Sequence, residues 1–528
     1  MSSTSVPAAF AHLTDLAADA TGTFVLYATD DYFAPKENLV RADSPVWKEG
    51  EYTDKGKWMD GWESQRKREP GHDFAILRLG TPGEIHGILC DTTHFKGNAP
   101  QAVGLEVIDQ PHTATAEELL ALPLAADDAG WAALGGRAWR TVLTKTEVKS
   151  DFANALPLLF PSGRASHVRL HIYPDGGVSR LRVYGVARPE PRAFWRPGSL
   201  DLAAIEHGGT VAAVSDQFFG PPSNLLLPGR GVNMGDGWET RRRRTPGSDW
   251  CVLKLGRRGV IERVELDTHF FKGNAPQATL IECIDATTLT PEALAHLMRA
   301  DDGWQVLLEE TALVQHRRHV LEPARAMPVT HLRVHIFPHG GVNRLRVWGH
   351  ALDTPQEAAR LATLQALGEA EARTLLLSFN GSEAWADVMA ARSFTSVRDL
   401  FAAADATWWA LATDDFLQAF LAHPRIGDTK KVAAATERSA TWSVGEQASA
   451  QGAAEAVAER LRELNDRYFD NFGFLFICFA TGRTAPQMLR ILERRLENDR
   501  ATEIENAARE QARITRLRIE KWLLGIEK

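Results

Sequence analysis

Two kinds of patterning divide this chain. Up to about residue 350, apolar and polar positions alternate in short runs. Val168-Arg169-Leu170-His171-Ile172-Tyr173 and Leu332-Arg333-Val334-His335-Ile336-Phe337 put every second side chain on one face, the period of a half-buried strand. Leu181-Arg182-Val183-Tyr184 and Leu345-Arg346-Val347-Trp348 repeat the pattern after Gly-Gly turns. Phe74-Ala75-Ile76-Leu77-Arg78-Leu79 and Trp250-Cys251-Val252-Leu253-Lys254-Leu255 read as strands ended by the glycine that follows each. Such runs, punctuated by turn residues, predict all-β jelly rolls, each with one helix, near 116–122 and 291–299. The Pro-rich stretch Arg188-Pro189-Glu190-Pro191 suits neither a helix nor a central strand and marks a break.

Beyond about Asp353 the texture changes, and Ala, Leu, Glu and Arg dominate. Thr354-Pro355-Gln356-Glu357 has the form of a helix start, with Thr as cap and Pro in the first turn. Between 486 and 524, Leu489, Leu492, Leu496, Ile504, Ala508, Ile514 and Leu517 recur at helical spacing. The segment 353–528 is predicted to be all-α.

The β half is a duplication. Thr93-His94-Phe95-Lys96-Gly97-Asn98-Ala99-Pro100-Gln101 returns 176 residues later as His269-Phe270-Phe271-Lys272-Gly273-Asn274-Ala275-Pro276-Gln277. Asp60-Gly61-Trp62-Glu63 returns as Asp236-Gly237-Trp238-Glu239 at the same offset. His171-Ile172-Tyr173-Pro174-Asp175-Gly176-Gly177-Val178 returns as His335-Ile336-Phe337-Pro338-His339-Gly340-Gly341-Val342. A period this long means two whole domains of one fold rather than a solenoid. The expected organisation is therefore two tandem jelly-roll repeats, 1–187 and 188–352, followed by the helical domain 353–528.

Composition adds exclusions. At roughly 100–200 residues per domain, 528 residues suit three domains. A formal net charge of -8 argues against a nucleic-acid partner, and the run Arg241-Arg242-Arg243-Arg244 reads as a solvated face. Cys90, Cys251, Cys283 and Cys478 form no CxxC pair and sit among apolar neighbours, as buried thiols of a reducing compartment do. No apolar run approaches the ~20 residues of a bilayer span. Neither a secretory pattern nor a peroxisomal address is visible, so the expectation is a cytoplasmic protein without membrane contact.

In their order and pairing, the three duplicated segments resemble the allantoicase family over about 20–350. That resemblance implies two galactose-binding-like jelly rolls that hydrolyse allantoate to ureidoglycolate and urea. The residues suit such a substrate, which carries one carboxylate and two ureido arms. Lys96 and Lys272 can meet the carboxylate as point charges, Arg66 and Arg242 as bidentate forks. Asn98 and Asn274 offer donor and acceptor to a ureido group. Glu63, Glu239, Asp91 and Asp267 are candidates to move protons. His269 lies two residues after Asp267, so on a strand the two would share a face as a proton-transfer pair. Plainer roles compete: a tight turn for Gly97-Asn98-Ala99-Pro100, core anchors for Trp62 and Trp238, surface charges for Arg66 and Arg242. Thr93 faces His269 across the copies, His94 faces Phe270 and Asp175 faces His339, so the copies need not be equally competent. No cofactor is expected. Metal assistance by Asp267, His269, His335 and His339 is the alternative, although their spacing fits no recognised metal motif.

In the helical domain, four blocks occur in order: Phe420-Leu421-Ala422-His423-Pro424-Arg425-Ile426-Gly427-Asp428, Trp442-Ser443-Val444-Gly445-Glu446-Gln447, Leu464-Asn465-Asp466-Arg467-Tyr468-Phe469 with Phe472-Gly473-Phe474-Leu475-Phe476-Ile477-Cys478, and Arg494-Arg495-Leu496-Glu497-Asn498-Asp499-Arg500. They are similar to the ureidoimidazoline decarboxylase family over about 355–525. The resemblance implies decarboxylation of 2-oxo-4-hydroxy-4-carboxy-5-ureidoimidazoline to (S)-allantoin. Loss of carbon dioxide leaves electron density that the ring delocalises, so a proton-handling group suffices, and a histidine suits that task. By resemblance, His423 is the acid/base and Glu446 orients it or shares its proton. Pro424, Ser443, Val444, Gly445, Gln447, the stretch Phe476-Ile477-Cys478-Phe479-Ala480 and Arg516 contact substrate on the same ground. Arg425-Ile426-Gly427 departs from the Asp-Leu-Ala often found there, and Ser443 with Glu446 also fits a capping box.

Together these readings predict a bifunctional enzyme of urate degradation acting on small ureido acids, with self-assembly into a homo-oligomer. The competing reading is a decarboxylase whose β half is a carbohydrate-type binding module, because fold alone does not give function.

Overall fold

The computed structural model describes residues 7–10, 13–110, 131, 138–300, 302–423, 455–481, 483 and 485–526. The helix predicted near 116–122 lies outside the described residues. Two β-rich domains are followed by a helical one, as the periodicities require.

Each β domain is organised by one 19-residue strand, Asp73–Asp91 or Asp249–Asp267. Its first part pairs with Arg164–Tyr173, or Pro328–Phe337, and its last part with Arg180–Ala187, or Arg344–Ala351. One bent strand thus serves both layers of an antiparallel sandwich, and the alternating apolar side chains of both layers meet between them. The predicted strand ends at Gly80 and Gly256 are not ends. A Cβ on Gly80 would lie 1.9 Å from the Thr21 carbonyl oxygen, and one on Gly256 1.8 Å from that of His207. The glycines let neighbouring backbone pass close to a strand that continues.

The duplicated motifs occupy equivalent places. Asp60 pairs with the buried Arg180 at 2.9 Å, and Asp236 with Arg344 at 3.2 Å. Trp62 and Trp238 are fully buried and donate their indole N–H to the carbonyls of Asp30 and Asp216, so both are core anchors. Of the cationic run, Arg241 pairs with Asp216, while Arg242 and Arg244 are exposed. A short helix, Pro291–Leu297, starts at Thr290, whose side chain accepts from the Ala293 N–H. All four cysteines are free and buried.

The helical domain begins as predicted. Thr354 caps Pro355–Ala366 in a box completed by Glu357. The predicted helical stretch near the C-terminus is two helices, Ala485–Arg495 and Arg500–Leu524, with Asp499 capping the second. Their apolar faces close on a core that also contains Phe194 and Trp195, from the segment joining the two β domains. Trp195 stacks on Phe401 at 5.2 Å and donates its indole N–H to Glu357 at 3.0 Å. Glu357 also pairs with Arg257 of the second β domain. Among the described residues, no helix is long and apolar enough to cross a membrane.

Candidate active sites

In the first β domain, Glu63 lies on the short strand Trp62–Glu63, which pairs with Gly177–Val178. The turn carrying Lys96 and Asn98 packs over that pair. Phe95 is fully buried beneath the turn, against Gly177, where a Cβ would sit 2.0 Å from its ring. This packing delivers the Asn98 side-chain amide to Glu63 at 2.7 Å. Burial pushes the Glu63 carboxyl above its ordinary value, and the bond from Asn98 only partly opposes this. The same bond recurs in the second copy, where Asn274 donates to Glu239 at 2.5 Å.

Around the first pair lies a cavity of about 340 Å³, within the range of small-molecule sites. Glu63, Asn98, Gly97 and Lys96 line it. Phe33, Met59, Trp47, Lys57 and His94 complete it; sequence marked His94 only as a position that differs between the copies and did not single out the other four. Their signal was a difference in length. Ala34 bridges to Glu63 across 29 residues, whereas Gly220 bridges to Glu239 across 19. Aligning the copies would have exposed ten extra residues.

The other candidates fall as follows. Lys96 is exposed, with Nζ 3.8 Å from Asp151; Lys272, Arg66 and Arg242 are also exposed, and Arg66 does not line the cavity. Asp91 is buried and accepts the backbone N–H of Thr93. Asp267 accepts both the backbone N–H and the Nδ1 side of His269, at 2.9 and 2.5 Å. The Asp–His pair forms, but for a different reason: His269 lies in the turn after the strand, and an Asx-type bond brings it back. Arg230 approaches the His269 ring at 3.3 Å. His335 instead bonds Glu282 and Ser248, so it does not join Asp267 and His269. Among the described residues, no three His, Cys, Asp or Glu side chains converge as a metal-binding group.

In the helical domain, His423 follows the helix Thr413–Leu421. Its Nε2 lies 2.6 Å from the Gln511 amide oxygen. Gln511 donates in turn to the Asn380 carbonyl and the Thr515 hydroxyl, which fixes its oxygen toward the imidazole. Burial, reinforced by the Arg518 charge, pushes the His423 imidazole down to about 3; the bond to Gln511 opposes this. Gln511, Thr515 and Arg518 recur at one helical face of Arg500–Leu524, all buried. That polar stripe at i, i+4 and i+7 was the overlooked signal. Arg516 lies on another face, paired with Asp405 at 3.0 Å and donating to the Trp195 carbonyl.

Phe476, Ile477, Cys478, Phe479 and Ala480 are buried in an extended stretch between helices. Arg495 donates to the Ile477 carbonyl and pairs with Glu503, while Glu510 accepts the Phe479 N–H. The block around Arg495 thus holds this stretch in place. Pro424, Ser443, Val444, Gly445, Glu446 and Gln447 lie outside the described residues.

Comparison with known proteins assigns both halves. The allantoicase-repeat family model matches residues 14–188 and 200–352, and the OHCU decarboxylase model matches 365–520. A probable allantoicase of Burkholderia mallei is 41% identical over 346 residues, covering 63% of this chain and 94% of its own length. An allantoicase of Dictyostelium discoideum is 40% identical over 343 residues, covering 63% and 86%. The crystal structure of allantoicase from Saccharomyces cerevisiae aligns at 32% identity with a TM-score of 0.51, covering 64% of this chain and 93% of that one.

Proposed function

The chain belongs to the allantoicase family through its duplicated half and joins to it an OHCU decarboxylase domain, and from that premise we propose which side chains carry its two reactions. It is a bifunctional enzyme of urate degradation, hydrolase and carboxy-lyase in one polypeptide. The β half hydrolyses allantoate to ureidoglycolate and urea. The helical domain decarboxylates 2-oxo-4-hydroxy-4-carboxy-5-ureidoimidazoline to (S)-allantoin. A carbohydrate-binding role for the β half is not favoured, because the relatives that match it over nearly their whole length are allantoicases.

For hydrolysis, the observation that supports the assignment is the Glu–Asn bond, repeated at Glu63–Asn98 and Glu239–Asn274. Asn98 presents an amide to a ureido arm, and Lys96 balances the substrate carboxylate. Glu63, whose pKa burial has raised, donates a proton to the nitrogen of the departing arm as the C–N bond breaks. The bond's electron pair leaves with the urea. Water supplies the new C–O bond, and its proton returns to Glu63.

For decarboxylation, His423 waits as a neutral base. It takes the hydroxyl proton as the C–C bond to the carboxylate breaks, and the electron pair spreads into the ring. The same imidazole then returns a proton to carbon on one face. Arg518, whose charge acts on His423, is assigned to meet a substrate carboxylate there, with Arg516 on another face of the helix as the second candidate. Glu446, with Pro424, Ser443 to Gln447 and Phe476 to Ala480, completes the proposed site. Neither reaction as proposed calls on a metal or organic cofactor. The proposal also divides the chain at 187/188 and 352/353 and places it in the cytoplasm as a homo-oligomer; the four unpaired, buried thiols fit a reducing compartment.

The test is made on the full chain, with both activities assayed. His423→Ala should abolish formation of optically active allantoin and leave urea release from allantoate within about twofold, about 0.4 kcal/mol in barrier terms. Loss of both together would refute separate sites.

A further inference from the structure

The two β domains match motif by motif, yet only the first encloses its Glu–Asn pair behind additional chain. The ten extra residues between Ala34 and Glu63 fold around a small hairpin, Tyr52–Thr53 against Gly56–Lys57. The hairpin is tied to the domain at several points. The Val46 N–H donates to Asp60, the carboxylate that also holds the buried Arg180. Lys55 Nζ lies 5.1 Å above the Tyr32 ring, and Lys48 Nζ 4.5 Å above Trp58. So anchored, the hairpin sets the Trp47 ring 5.7 Å from that of His94 and Lys57 Nζ 4.1 Å above Trp47. His94 bonds the Pro45 carbonyl through Nε2 at 3.3 Å. In the second copy the corresponding region is shorter; Phe218, Phe219, Val232, Met234 and Phe270 are exposed, and the Asn274 amide lies 3.7 Å from the Met234 sulfur.

We propose that this inserted hairpin makes the first β domain the hydrolytic centre, with Lys57 and Trp47 as substrate-binding residues for an acid bearing two planar ureido arms. The proposal rests on the allantoate-hydrolase reading above. One arm meets the Asn98–Glu63 pair. The other lies against the indole face of Trp47, as planar amide-like groups do on aromatic surfaces. The carboxylate falls between Lys57 and Lys96, two cations that both line the cavity. An acid with a single arm leaves the Trp47 face unused, so the hairpin also selects for the doubly substituted substrate. The second domain keeps the Glu–Asn bond without the ten-residue insertion that carries Trp47 and Lys57.

The experiment is steady-state urea release from allantoate by the full chain and by Lys57→Ala, Lys57→Arg and Trp47→Ala, with decarboxylation by the same samples normalising for folded protein. Both side chains are exposed at the cavity mouth, so removing them leaves the core intact. Lys57→Ala should raise KM at least tenfold with a smaller change in kcat, Lys57→Arg should recover most of it, and Trp47→Ala should raise KM several-fold. KM values for Lys57→Ala and Trp47→Ala both within twofold of the parent would overturn the proposal. So would an equal rise in KM on Arg230→Ala, which would move the site to the second domain. Absence of urea release by the parent chain would instead be a failure of the hydrolase reading itself.

Discussion

At the residue scale, His423 shows how surroundings set chemistry. A free imidazole ionises near pH 6.5, but burial and Arg518 lower this one to about 3, so it is neutral across the physiological range. Two consequences follow with the same sign. The decarboxylation kcat/KM should show no acid limb from this group between pH 5 and 7, and a limb near 6.5 that vanishes in His423→Asn would contradict the assignment. The unfolded chain binds a proton here below pH 6.5 and the folded chain does not. Stability from this group is therefore fully present above 6.5 and declines as pH falls toward 3. Unfolding midpoints in denaturant should follow that slope and flatten in the Asn variant. Sequence made His423 legible because it stands in a distinctive block. The residues that tune it were not, because Gln511, Thr515 and Arg518 come from a helix about ninety residues on, where only a buried polar stripe marks them. Arg516, the arginine that sequence singled out, lies two residues from Arg518, and that spacing puts the two on roughly opposite faces of the helix.

At the element scale, glycine was read as punctuation and proved to be clearance. Asp73–Asp91 and Asp249–Asp267 continue through Gly80 and Gly256 because neighbouring carbonyls need the room of a missing Cβ. Alternation along the strand predicted its existence, but its length depends on what packs across it, which no local pattern contains. Gly177 and Gly341 extend the lesson to function. Each lets a phenylalanine, Phe95 or Phe271, seat under the turn that carries the Lys and Asn side chains. Gly177→Ala should force that ring upward, costing about 1–3 kcal/mol as overpacking does. The measurable results are a lower melting temperature of the first β domain and weaker urea release, since Asn98 would lose its distance to Glu63. An unchanged melting temperature together with full activity would show that the turn is not held from below. The ten-residue insertion, by contrast, was visible in the letters and lacked only the comparison of one copy with the other.

At the scale of the whole molecule, the three domains share more than a backbone. Sequence placed a break at 188–191; the strand Arg180–Ala187 ends just before it, and a 3-10 helix begins at Pro191. Sequence did not reveal that Phe194 and Trp195, just beyond, enter the core of the distant helical domain. Two aromatic residues in a Pro-rich stretch carry no periodicity to betray their destination. Trp195→Ala should cost about 3–5 kcal/mol, the usual consequence of emptying a buried indole site. In calorimetry of the full chain, the second β domain and the helical domain should melt as one transition in the parent and as two in the variant. Two transitions in both proteins would mean that this contact does not couple them.

The contact between Arg516 and the Trp195 carbonyl closes a loop of 321 residues. On a ribosome adding about 5–20 residues per second, the indole emerges roughly 16–64 s before that arginine exists. Until Glu357 and Phe401 are made, the indole also waits without the partners it has in the folded chain. The order in which this chain is made thus keeps Trp195 from its full set of partners until synthesis is almost finished.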